Sequence, residues 1–513
     1  MISINLFRNK LFYSLLGWSG IALLFIPLFQ NLPTTTWQLI ASLGLMIAGV
    51  IGYSFCEYQW TLPGIKNNGV FQKSISARGL WGWSVGVLLT TFYIALYFFP
   101  ELLGFNANGK SQGLVALFDP LSKLLNGKPA TQWFLYGTLY TLAILLFGIK
   151  FMYKYRHSRY QLIRTGTAVF FQLGFAFLLP ELLSLLHPDT PYFAKDFKNM
   201  WPLNYYFFED WHLKNMLNAG SLGLFTLGMG LAMIFIISPI LTYRYGKRWY
   251  CSWVCGCGAL AETAGDPFRQ LSSTKISVWK LERWMIHVVL VLITLTTLAV
   301  FWSLLGSSKN PTGISREAFT IGAIVFFSSL LAAIWFWKRK ELNKDSQYAM
   351  LSIGILIIGI LSIQLFSGER HLLGISSYSL RKWYGFWIGA AFSGVLGVGF
   401  YPLLGSRVWC RFGCPMAAIL GLQQRLLSRF RISTNGGQCI SCGNCSTYCE
   451  MGIDVRSYAQ KGQNIVRSSC VGCGICSEVC PRGVLKLENG DPANRSEIPD
   501  YPLGNLMDFS NVR

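Results

Sequence analysis

The chain has 513 residues, 52% of them hydrophobic and only 13% charged, against roughly 25% charged in a soluble domain. With a mean hydropathy of +0.40, that balance excludes an ordinary water-soluble globule and implies a largely membrane-embedded protein. The net charge of +21 would suit nucleic acid, but the basic residues sit in short loops between apolar runs, where they set topology; no nucleic-acid partner is expected.

In chain order, Arg8 and Lys10 precede an apolar run too long for a signal-peptide core, with no A-x-A site after it. It reads as an uncleaved first span. Runs long enough to cross about 30 Å of hydrocarbon recur at 11–30, 37–56, 80–100, 132–152, 167–187, 217–243, 284–305, 318–338, 349–367 and 384–405, ten in all. With the N-terminus inside, the inner segments carry 21 Lys and Arg and the outer loops 11. The turns "YKYRHSR" (153–159) and "WKRKELNK" (337–344) are the clearest inner markers. The positive-inside bias gives N-in, C-in, in a bacterial inner membrane, with everything from Ser406 onward in the cytoplasm.

Two outward-running spans end alike, "ALYFFPELLGF" (95–105) and "FAFLLPELLSL" (175–185). Glu101 and Glu181 are ionisable groups in apolar surroundings, and His187 and His212 fall on the same outer side, as do His371, Glu209 and Asp210. These are candidates for taking protons from a quinol; the plainer reading is that Pro-Glu opens an interfacial helix with the acid at its N-terminus. A bis-histidine haem is disfavoured, because only His287 lies well within a span and His157 is in a basic turn. Cys56, alone at the end of span two, reads as packing.

Two cysteine groups stand where spans enter the cytoplasm, "GKRWYCSWVCGCGALAE" (246–262) and "GSRVWCRFGCPMAA" (405–418). Gly246, Arg248, Tyr250, Cys251 and Cys255 align with Gly405, Arg407, Trp409, Cys410 and Cys414, and each copy follows a span with a proline near its end, Pro239 and Pro402. This is an internal repeat. Cys-x3-Cys puts two thiols on one face of a helical turn, and two such pairs offer the four thiolates of an all-cysteine iron–sulfur site. Cys257 adds a fifth thiol that the second copy lacks. A third metal centre, a redox-active thiol pair and structural packing are the three readings of these residues.

The C-terminal part carries two runs of C-x2-C-x2-C-x3-C, at Cys439, Cys442, Cys445, Cys449 and at Cys470, Cys473, Cys476, Cys480, the last followed by Pro481. In a reducing compartment disulfides are disfavoured and metal is favoured. The spacing is that of a bacterial two-cluster ferredoxin, in which the fourth cysteine of each run ligates the other cluster. One [4Fe–4S] cluster is therefore assigned to Cys439, Cys442, Cys445 and Cys480, and the other to Cys470, Cys473, Cys476 and Cys449. A double zinc ribbon would show paired C-x2-C units instead. Gly443, Gly472 and Gly474 let the backbone turn closely around the sulfides.

Paired Cys-x3-Cys motifs at span ends followed by a two-cluster ferredoxin resemble the NapH/NosR/CcoG-type membrane polyferredoxins, over about 217–487. The resemblance implies quinol oxidation or electron donation to a respiratory metalloenzyme, or a part in assembling one. The chain departs from the pattern in having Gly256-Cys257 where proline is usual, and four predicted spans between the motifs.

The expected fold is an all-α polytopic membrane protein of about ten transmembrane helices with a C-terminal cytoplasmic α+β two-cluster ferredoxin domain. Its parts are residues 1–216 with spans one to five, 217–435 with spans six to ten and both motifs, 436–487 as the ferredoxin, and a polar tail 488–513. The expected function is electron exchange between the quinone pool and a redox partner protein. The alternative is an iron–sulfur assembly, metal-reduction or redox-sensing factor. Expected partners are membrane lipid, quinone and other subunits of a respiratory complex.

Overall fold

The computed structural model describes residues 2–29, 35–60, 78–107, 110–186, 188, 201–246, 249–306, 313–341, 344–367, 369 and 371–489. The chain is mostly helical. Among the described residues nine helices are long and apolar enough to cross a membrane. They are α1 (Ile2–Phe25), α2 (Thr36–Tyr58), α3 (Leu80–Phe98), α4 (Gln132–Lys154), α5 (Arg159–Leu186), α6 (Ser221–Tyr245), α7 (Ile276–Leu305), α8 (Arg316–Lys338) and α9 (Lys344–Ser367). Hydroxyl caps start several of them. Thr35, Thr131, Ser158 and Ser315 each accept a hydrogen bond from a first-turn N–H. Their outer faces expose Trp37, Phe336, Trp337 and Phe366, a surface that water disfavours and hydrocarbon accepts.

Pro180 and Pro239 lie inside α5 and α6, and each is preceded by a π-helical stretch, Phe171–Leu178 and Met233–Ile237. A proline removes one helical N–H and crowds the carbonyl four residues back; the wider turn makes room for both.

The tenth predicted span, 384–405, is not one continuous helix. Ser377–Tyr384 runs into a π-helix, Gly385–Leu396, then a turn at Gly397–Phe400 and a short helix, Tyr401–Leu404. Closely spaced glycines (Gly394, Gly397, Gly399) followed by Pro402 break the ladder. Hydropathy reads the run as a span because it measures polarity, not continuity.

The ferredoxin unit is closed by β1 (Phe430–Thr434) and β2 (Leu485–Asn489), antiparallel with Ile432 opposite Leu487. Ile432, Met451, Ile453, Val455, Ile465, Val471 and Val484 form its core, each buried side chain contributing about 1.5–3 kcal/mol. The unit sits on the helix ends. Phe151 and Tyr155, at the end of α4, pack on Tyr448, Ile475 and Val479. At the start of α5, Ser158 Oγ donates to Glu478 Oε1 at 2.6 Å, Tyr160 OH to the Gly472 carbonyl at 2.8 Å, and Gln161 Nε2 to the Cys473 carbonyl at 2.8 Å.

The described ends of the predicted inner segments gather on this side. Arg156 donates to the carbonyls of Tyr58 and Gln59. Arg78 donates to those of Leu403 and Leu271 at 2.8 and 2.7 Å.

Candidate functional site

Two hollows open in the ferredoxin unit. Cys439, Cys442, Cys445 and Cys480 line one of about 350 Å³. Cys449, Cys470, Cys473 and Cys476 line the other, of about 370 Å³. Each hollow takes three cysteines from one run and the fourth from the other. Among the described residues no three of His, Cys, Asp or Glu are placed to hold a metal ion. The eight thiols stand around two spaces, as the ligands of multi-iron cubanes must. Burial pushes the Cys445 thiol up to about 11 and that of Cys449 to about 12. Such thiols stay protonated until a cation displaces the proton.

The membrane-surface motifs meet beneath the second hollow. Cys251, Cys410 and Cys414 are buried, Cys255 is half-buried and Cys257 exposed. Cys414 has Cys251, Cys410 and Cys255 as electrostatic neighbours, and Cys255 hydrogen-bonds with Cys257. Cys251, Cys255 and Cys410 thus all lie within electrostatic reach of Cys414, and Cys257 beside Cys255. Cys251 also packs in one apolar cluster with Leu420, Ile453, Val471, Cys470 and Cys476, so this site shares a core with the ferredoxin. Both second cysteines cap a helix, Cys255 before Gly256–Thr263 and Cys414 before Pro415–Leu427. Gly256 stands where the second copy has Pro415. A Cβ there would lie 2.2 Å from Gln172 Oε1, so a proline would have to displace the Gln172 amide. Arg248 lies outside the described residues.

A buried ion network ties the two sites together. Glu450, which follows Cys449, accepts from Arg407 Nη2 at 2.8 Å and from Arg269 Nη1 at 3.0 Å, all three fully buried. Arg407 Nη1 also reaches Cys410 Sγ at 3.7 Å. Arg269 continues to Asp266 at 2.7 Å, and Asp266 to Lys154 at 2.5 Å. Arg164 pairs with Glu262, and Arg411 with Glu282 at 3.0 Å. Burial opposes the charge of Glu450, yet Arg407 and Arg269 hold its carboxyl below the usual range. None of these carboxylates was singled out from the sequence. The signal available for Glu450 was its place after Cys449, where the other run has Pro481.

A group of tyrosines lies on the same side as the exposed Cys257. Tyr93, Tyr97, Tyr136, Tyr140, Tyr250 and Tyr401 all lie within its electrostatic reach. Tyr136 sits between Tyr93 and Tyr140, with ring centroids 6.0 and 5.5 Å away.

The outer-side candidates are placed separately. Glu101 is exposed in the one-turn helix Pro100–Leu103. Glu181 accepts from Asn126 Nδ2 at 2.7 Å. His212 is buried with its Nδ1 2.9 Å from the Phe207 carbonyl, and Glu209 pairs with Arg381 at 2.6 Å. His187 lies outside the described residues. His287, in α7, has its Nδ1 2.5 Å from the Arg283 carbonyl.

Residues 438–485 match the family model of the 4Fe-4S dicluster domain, and residues 227–276 and 386–433 each match that of the 4Fe-4S binding domain. The chain carries iron–sulfur domains of the 4Fe-4S type. One family model thus matches both copies of the internal repeat. A protein of Escherichia coli (strain K12) that carries the name "Putative electron transport protein YccM" is 26% identical over 231 residues, covering 45% of this chain and 48% of that protein. This chain thus spans about half the length of the curated relative it matches. No solved structure matches it.

Proposed function

We propose that the protein is a membrane-bound electron-transfer protein of the polyferredoxin type, exchanging electrons between the quinone pool and a redox partner protein. Two [4Fe–4S] clusters would be held by Cys439, Cys442, Cys445 and Cys480 and by Cys449, Cys470, Cys473 and Cys476. Cys251, Cys255, Cys410 and Cys414, with Cys257 beside them, would hold a third centre at the membrane surface. The observation that carries this reading is the crossed partition of eight cysteines around two hollows. Each cluster, when bound, accepts or gives up one electron.

The chain's own residues supply the rest. Arg407 spans from Cys410 to Glu450 and holds the membrane motif against the second hollow. The apolar walls around Val471 and Cys476 keep water from the thiols. The tyrosines around Cys257 offer flat apolar faces and hydroxyl donors, which suits a quinone ring beside the membrane thiols. The apolar helices and the basic segments support an inner-membrane protein with both termini in the cytoplasm.

Iron and sulfide analysis with EPR of the anaerobically purified protein tests the reading. About eight irons per chain are expected from two cubanes, and ten to twelve if the membrane thiols also hold a centre. Cys480→Ser should abolish one cubane signal and Cys449→Ser the other. A quinol analogue should bleach the cluster absorbance. Iron-free native protein would overturn the reading, and clusters indifferent to every quinol would remove the quinone from it.

A further inference from the structure

The two cysteine runs are copies, so the molecule contains its own comparison. Ser441 (φ +57°) stands where Gly472 (φ +67°) does in the second copy. Ile440 likewise matches Val471, and Pro481-Arg482 match Glu450-Met451. In the second copy this surface is covered. Val471 is 1% exposed and Glu450 0%, and Tyr160, Gln161, Arg269 and Arg407 of the helical base hold it.

Among the described residues, nothing covers the same surface of the first copy. Ile440 is 55% exposed, and Cys442, Pro481 and Arg482 are exposed around the hollow. The charges differ too. Among the described residues the first hollow is lined by Arg456 and Arg482 with no carboxylate, and the second by Glu450 with no cation. A serine in left-handed backbone is costly. Here it is fastened by Gln460 Nε2, which donates to its Oγ at 2.7 Å, and it sets the large apolar Ile440 at the tip of the loop. Ile440, Arg456 and Arg482 thus leave the rim of this hollow open to an approaching molecule.

We infer that the face formed by Ile440, Cys442, Arg456 and Arg482 docks a redox protein with an acidic rim around its own cofactor. The cluster of Cys439, Cys442, Cys445 and Cys480 exchanges electrons with that partner, and the cluster of Cys449, Cys470, Cys473 and Cys476 stands between it and the membrane thiols. This rests on the electron-transfer reading and names its partner class. Each encounter moves one electron between this cluster and the partner's cofactor, with no bond made or broken. Attraction between the two arginines and the partner's carboxylates speeds encounter and is screened by salt.

The test uses the full chain in detergent, reduced with dithionite, with EPR recorded first. Oxidation is then followed by stopped flow with plastocyanin as an acidic acceptor and mitochondrial cytochrome c as a basic one. The plastocyanin rate should fall about tenfold in the Arg456→Glu/Arg482→Glu double variant while the cytochrome rate rises. The wild-type plastocyanin rate should also fall between about 20 and 200 mM salt. Arg456→Gln/Arg482→Gln should lie between, and Ile440→Glu should slow plastocyanin even where the double charge reversal disturbs a cluster. Lys128→Glu, just before the far end of α4, should change nothing. Unchanged rates in these variants, with both EPR signals intact, would overturn the docking face. Absence of EPR signals from the wild type would overturn the cluster reading itself.

Discussion

At the scale of single residues, what was readable and what was hidden separate by sequence distance. The eight ferredoxin thiols announce themselves because their ligand geometry is local, three in each loop; Cys439, Cys442, Cys445 and Cys480 line one hollow and Cys449, Cys470, Cys473 and Cys476 the other. Glu450 was silent because its meaning depends on Arg269, 181 positions away, and on Arg407. Its worth is calculable. Removing one member of a buried ion pair leaves the others uncompensated, at a cost of about 3–5 kcal/mol. Glu450→Gln preserves shape and removes the charge that two fully buried arginines share. The ferredoxin unit should then come loose from the helices before it unfolds. Limited trypsinolysis should release a fragment beginning near residue 430 from the variant several times faster than from wild type, with the EPR lines of the first cluster retained. Equal release rates would mean that apolar contacts alone, such as Phe151 and Tyr155 on Val479, hold the unit down.

Elements were readable where polarity alone decides them. Nine of the ten predicted spans are continuous helices among the described residues, and the tenth fails because its glycines and Pro402 break hydrogen-bond continuity, which hydropathy does not measure. The repeat was visible as aligned letters, but the reason for its first glycine was not. Gly246 and Gly405 both have positive φ, +62° and +96°. At each the chain leaves a helix and turns sharply into the cysteine motif. A Cβ on Gly246 would lie 1.9 Å from Phe430 Cβ, and one on Gly405 2.4 Å from Ser272 Oγ. Gly246→Ala therefore adds the cost of a backbone conformation that is essentially glycine-only, about 1–3 kcal/mol, to a forced shift of the first residue of β1. Gly228→Ala, in the same helix α6, meets nothing within 4 Å and should stay within about 0.5 kcal/mol of wild type. The temperature at which cluster absorbance is lost should drop clearly for Gly246→Ala and hardly move for Gly228→Ala.

Over the whole molecule, one set of basic residues serves two purposes. Arg78, Lys154, Arg156, Arg164 and Arg269 were counted as topology signals, yet the structure commits each to a carbonyl or carboxylate at the ferredoxin end. On the opposite side Arg316, Lys214 and Arg381 are likewise held, so the bias toward the ferredoxin end survives the correction. These cations build the seat on which the cluster domain rests, and the positive-inside rule expects the same cations to set orientation, which predicts that orientation and assembly are coupled. A C-terminal epitope tag should be digested in inside-out vesicles and protected in right-side-out ones. A tag inserted next to Lys128, before the far end of α4, should behave oppositely. Replacing Lys154 and Arg156 together by Gln should weaken the topological signal of the turn between α4 and α5 and the seat of Tyr448 at once, so mis-oriented chains and cluster-poor chains should rise in parallel. If mis-orientation rises while iron content per correctly oriented chain stays constant, the two roles are separate and the seat depends on Glu450 and its arginines alone.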